Sequence, residues 1–387
     1  MNLYEVIKAE LAALFSDSDI LLTIFGGVLL YSFLYPQPYI KETVSALDVA
    51  IVDYDKSDLS RRMTFMLDAS PQIKINRSYT SEEGAKEGIT TGDVSALVII
   101  PKHFKRDLYQ NKQPVIAIGA DASYFLIYGA VVQGAMHSIL TQSAAIQIGN
   151  LLKREMPIVG AKVRYAPFSV NLISTFNVSS SYINYVIPAV YILILQQTML
   201  IGMGILGGGF TRRMRMGEKG YFNTVSAASI MTARTLIFGS IFFVHTLFFF
   251  GFSFSFFGVP HIASIADILT FTIPFLLSVA MLGILLGTFF KGREYATPII
   301  LLTSLPLVFS AGFVWPEESM PQILVWLSAL SPSTPAIQGF LRLNQMGAEF
   351  DQIMPQYILL WVQTAVFGGL AYLLLKRQQN CTVKGLK

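Results

Sequence analysis

Six long apolar runs constrain this chain more than any other feature. They cover about residues 20–35, 185–209, 236–259, 268–290, 296–315 and 357–375. About 20 apolar helical residues cross a hydrocarbon layer about 30 Å thick, and most of the runs are near or above that length. The first is slightly short, but Pro36-Gln37-Pro38-Tyr39 extends it into the headgroup region, where Tyr31, Tyr35 and Tyr39 suit an aromatic belt. A chain that is 53% hydrophobic and only 13% charged over 387 residues is too apolar for an ordinary soluble protein. The expected fold class is a polytopic α-helical membrane protein with six transmembrane helices.

The charge is unevenly spread. About half of the charged residues lie between Lys41 and Arg164, while the apolar runs carry almost none. In that interval the hydrophobic period changes. Strands are expected over 46–53, 72–79, 95–100, 114–120 and 162–170, alternating with helices over 57–67, 81–89 and 102–111. Ser57 or Asp58 and the pattern Thr80-Ser81-Glu82-Glu83 are helix caps. This alternation predicts an inserted α/β domain over 41–181. Residues 124–155 are long enough to span a membrane. Yet Gln133, His137, Gln142, Gln147 and Asn150 recur along them, so an amphipathic helix packed on that domain is expected instead.

Sidedness follows from the basic residues. Arg212, Arg213, Arg215, Lys219 and Arg234 lie between the second and third runs, Lys291 and Arg293 between the fourth and fifth, and four lysines or arginines after the sixth. The link 260–267 has no lysine or arginine, and the long link before the sixth run has only Arg342. The positive-inside rule then places both termini in the cytoplasm and the α/β domain outside. The expected layout is a cytoplasmic interfacial helix over 1–17, span one over 18–40, the domain over 41–181, and spans two to six over 182–377. A cytoplasmic loop covers 210–221, outer or re-entrant helices cover 317–350, and a cytoplasmic tail covers 378–387. In the first helix Leu3, Ile7, Leu11 and Leu14 form the apolar face, with Glu5, Lys8 and Glu10 turned elsewhere. No small-residue cleavage site follows the first run, so it is expected to remain as an anchor.

The chemistry-bearing residues are few. A lone Cys381 and four scattered histidines leave no multi-cysteine or histidine metal site. Asp53, Asp55 and Asp58 lack the Gly and Glu of a calcium loop, because those positions hold Asp58 and Thr64, so a capped turn is the plain reading. Gly217-Glu218-Lys219-Gly220 does not have the spacing of a phosphate-binding loop. No catalytic residue is assigned, and the chain is expected not to be an enzyme. Gln196, Gln197 and His245 are the sparse polar groups inside the spans; they either bond between helices or line a substrate path. The small net charge of +4 reads as topology, and no nucleic-acid partner is expected.

Several motifs together resemble the ABC type-2 exporter permeases, in particular the bacterial subfamily with a large extracytoplasmic domain after the first span. They are Glu10-Leu11-Ala12-Ala13-Leu14-Phe15-Ser16-Asp17, Leu34-Tyr35-Pro36-Gln37-Pro38-Tyr39, the stretch from Val49 to Arg61, Leu67-Asp68-Ala69-Ser70-Pro71, the Gly-Glu-Lys-Gly at 217–220 and the region 330–335. The resemblance implies a membrane subunit that moves an amphiphilic, lipid-like or drug-like substrate outward. It implies a second permease subunit, identical or not, and a separate ABC ATPase subunit that binds ATP and Mg, with no cofactor in this chain. Some members of the family also work with a periplasmic adaptor. It assigns ATPase contact to Glu10 and to Arg212, Arg213, Arg215, Glu218, Lys219 and Gly220. Where the family often has Gly-Thr, this chain has Gly220-Tyr221. The rival expectation is a membrane receptor or surface-binding protein with a functional outer domain and no ATPase partner.

Overall fold

The computed structural model describes residues 2–40, 44–110, 112–153, 157–160, 176–177, 181–218 and 220–385. The chain divides into two compact units, a helical one formed by 1–42 with 174–387 and an α/β one formed by 43–173.

The helical unit opens with α1, Leu3–Phe15, and α2, Ser18–Tyr39. Asn2 and Glu5 form a reciprocal capping box at the start of α1.

In the α/β unit, β1 (Leu47–Asp53), α3 (Asp58–Asp68), β2 (Ile73–Ser78), α4 (Glu82–Thr90), β3 (Ala96–Ile100), α5 (Phe104–Tyr109) and β4 (Ala117–Ala120) follow one another. The order in the sheet is β2-β1-β3-β4, parallel except for β4. Strand β1 is buried on both faces, as a parallel strand between crossover helices must be. Val49 and Ile51 pack with Met63, Leu67 and Val98, while Ala50 and Val52 pack with Ala85 and Leu97 on the other side. The elements fall within a few residues of those expected from the sequence, except for residues 162–170, which lie outside the described residues. The Asp53 carboxylate accepts from the backbone of Asp55 and Lys56 and from the Ser60 hydroxyl, and Ser57 caps α3. Helix α6, Phe125–Leu152, buries Val131 and Ala135 in this core, and its Ser138 donates to the Met66 carbonyl.

The helical unit resumes with α7 (Ile183–Arg215), α8 (Ala227–Phe257), α9 (Ile265–Phe289), α10 (Ala296–Ser310), α11 (Gln322–Ser328), α12 (Ser333–Met346) and α13 (Met354–Gly385). Helix α7 is the hub. Its most apolar window is 94% buried, and it packs against α8, α9, α10, α12 and the first span. The corresponding windows of α2, α8 and α13 are 22–33% buried, which leaves broad apolar faces for lipid.

Among the described residues five helices are long and apolar enough to span a membrane. The expected fifth span is the 15-residue α10, about 22 Å long at 1.5 Å per residue. It stops before Gly312, whose φ of 86° no helix continues. The basic loop is where an expectation is corrected. Helix α7 continues through Arg215, and α8 starts at Ala227 behind the cap Ser226, so only 216–226 separate them. Arg212, Arg213 and Arg215 therefore stand on a helix, and Arg234 lies two turns inside α8.

Candidate functional site

The last two turns of α7 have two faces. Arg212, Arg213 and Arg215 are exposed, as is Glu218 just beyond them. Phe210 and Met214 point inward and form a small core with Val6 of α1, Phe222 and Val225 of the connecting turn, and Ile230 and Ala233 of α8. Lys219 lies outside the described residues. Gly220 is half-buried and packs against Phe222.

At the centre of this small core is a buried ion pair. Arg234 Nε donates to Glu10 Oε2 at 3.0 Å, and the two side chains are 2% and 0% exposed. The guanidinium carbon also sits 4.6 Å from the centre of the Phe210 ring, a cation–π contact. Tyr221 packs edge-on against Phe210. Burial, and then the nearby Glu10 carboxylate, push the Tyr221 phenol well above its ordinary value, so it remains neutral at physiological pH. Glu10 Oε1 and Arg234 Nη2 are buried without a hydrogen-bond partner among the described residues. The expected outward position of Glu10 is thus corrected. The buried stripe of α1 is Val6, Glu10 and Leu14, and Leu3 is 42% exposed. Glu10 is committed to a contact within the chain because Arg234 faces it.

Three further contacts gather at the same end. Arg293, just after α9, bonds to Asp17 and Asp19 at the start of the first span. Arg212 lies 3.8 Å from Glu294, an exposed pair of little energetic weight. Gln379 of α13 donates to the carbonyls of Phe222 and Val225. So the connecting turn links α1 and the C-terminal part of α13 at one end of the helical unit. Close by, α7 and α9 approach backbone to backbone. A Cβ at Gly207 would lie 2.7 Å from Gly287 Cα, and Thr211 Oγ1 donates to the Gly287 carbonyl.

The three polar residues proposed for a substrate path do not converge. Gln196 Oε1 accepts from Ser333 N at 2.6 Å, and its amide donates to Ser331, so it caps the start of α12. That contact lies about 20 Å along α7 from its start, which places the α12 terminus deep in the unit. Gln197 donates to Thr303 of α10. His245 sits edge-on between Phe25 and Phe242. Each sits between helices, while Gln197 Oε1 and His245 Nδ1 have no hydrogen-bond partner among the described residues. Sequence reasoning missed Arg234 as a site residue because its place between two runs read as loop charge. The signal was there: Ser226 is a cap eight residues earlier, and the apolar residues around Arg234 continue a helical period.

Comparison with known proteins agrees with this architecture. The family model described as "ABC-2 family transporter protein" matches residues 18–373. Two relatives bear the name inner membrane transport permease YhhJ, from Escherichia coli (strain K12) and Shigella flexneri. Each is 23% identical over 381 residues, covering 96% of both chains. With the family match running from the first span to the last, this chain belongs to the ABC-2 family of transporter proteins, as the membrane subunit of an ABC transporter.

Proposed function

We propose that the chain is the permease of an ATP-driven exporter, and that its separate ATPase subunit docks on Arg212, Arg213, Arg215 and Glu218. One observation carries this reading. The α7 segment that presents these arginines also presses Phe210 onto the buried Glu10–Arg234 pair. Force applied to the exposed face thereby has a stiff route into α1, α7 and α8. The partner binds ATP and Mg, and this chain supplies the moving spans.

The positive-inside rule puts the arginine-bearing end in the cytoplasm and the α/β unit outside. Both termini then lie inside, which requires an even number of crossings. The short α10 and the segment leading to Trp315 make the sixth. The name of the relatives supports an inner-membrane location. An apolar interior with few charges suits an amphiphilic, lipid-like or drug-like cargo, moved outward by a pair of permease subunits. Some such pairs hand cargo to a periplasmic adaptor.

Co-purification tests the docking. The Arg212→Glu/Arg213→Glu variant should reach the membrane at normal abundance but lose the ATPase subunit that accompanies the native chain. Equal recovery of the ATPase with both proteins contradicts the assignment.

A further inference from the structure

The α/β unit contains a cavity of about 300 Å³ between α3, α5 and α6, a volume at the low end for small-molecule sites. Its chemistry is two-sided. Leu108 and Ile146 give an apolar floor, and Arg62 and Lys153 stand at the rim. Lys153 is held over the face of Tyr109, its ammonium 5.7 Å from the ring centre. Among the described residues no carboxylate lines the cavity and neither rim cation has a carboxylate partner.

A second observation points to a ligand. Gln142, 2% exposed, lines the same cavity. Its amide nitrogen donates weakly to the Leu59 carbonyl at 3.5 Å, while its Oε1 is buried with no hydrogen-bond partner. An acceptor left unpaired in apolar surroundings is costly and gains from an incoming N–H or O–H. There is also room. A Cβ built at Gly149, on the cavity wall, meets nothing within 4 Å.

We propose that this cavity binds a small single-chain amphiphile with an anionic head and a neighbouring amide or hydroxyl donor. Arg62 and Lys153 hold the anion, Gln142 accepts from the donor, and the chain lies on Leu108 and Ile146. The volume admits one short chain and excludes a two-chain lipid. The site does not depend on the docking of an ATPase, and it is read by a different experiment.

The probe is N-decanoylglycine carrying a diazirine on its acyl chain, applied to the full-length protein in nanodiscs of neutral phosphatidylcholine. Photolabelled peptides are then mapped by mass spectrometry. The expected label falls on α3, α5 and α6. It drops about tenfold with the uncharged methyl ester, with Arg62→Glu/Lys153→Glu, and with Gly149→Leu, which fills the space. Gly129→Leu on the same helix, also facing open space, leaves it unchanged. The rim variant carries the test should Gly149→Leu fail to fold. Label confined to the spans overturns the proposal. So does equal labelling by acid and ester, or full labelling of the rim variant.

Discussion

A fully buried arginine is the least expected residue in this chain, and its energetics decide how to read it. Taking Arg234 and Glu10 out of water costs several kcal/mol per ion, and their attraction roughly offsets this. Removing one partner strands the other. Glu10→Gln or Arg234→Met alone should therefore destabilise the protein by about 3–5 kcal/mol, measured as lost resistance to denaturant in detergent. The double variant Glu10→Leu/Arg234→Met should recover most of that stability. If the pair serves coupling rather than stability, the double variant should fold yet lose ATP-driven export. A double variant with full export contradicts that role. The sequence made α1 legible as a helix and placed Leu14 correctly on its buried face, with Ile7 and Leu11 half-buried beside it, but it put the exposed Leu3 there and left out Val6 and Glu10. An apolar-only criterion cannot place a glutamate inward, because the partner that makes this tolerable lies 224 residues away.

At the scale of elements, coupling depends on how α7 meets its neighbours. The Gly207–Gly287 contact has no space for a side chain, so Gly207→Leu should force α7 and α9 apart. The expected outcome is lower yield and a melting temperature well below that of the native protein, as overpacking typically costs about 1–3 kcal/mol. Gln196→Leu should cost about 1–3 kcal/mol by leaving the α12 terminus unsatisfied, without changing which substrates are carried. A changed substrate range with unchanged stability restores Gln196 to a substrate path. The long spans were legible because hydropathy alone sets them. The limit of α10 was not, because a turn at Gly312 interrupts an apolar run without changing its composition. The helical continuation to Arg215 was hidden for the opposite reason. Three glycines and three arginines read as a loop, yet Gly207 and Gly208 allow close packing against α9 and the turn after it, and the arginines occupy the last turn, where they complement the helix dipole.

At the scale of the molecule, one chain combines an α/β unit with a helical unit whose two ends differ in charge. The α/β alternation was legible from period and caps; the cavity beside α6 was not, since it depends on three helices leaving space between them. The arginine-bearing end brings together α1, α7, α8 and α13, and we propose that an ATPase subunit engages it. The most direct measurement places a photo-activatable crosslinker at Arg213, and separately at Ile262 in the link that carries no lysine or arginine, and identifies what each captures in intact cells. Position 213 is expected to capture an ATPase subunit and position 262 not to. Capture from position 262 instead, or no ATPase from position 213 in cells that export normally, would contradict it.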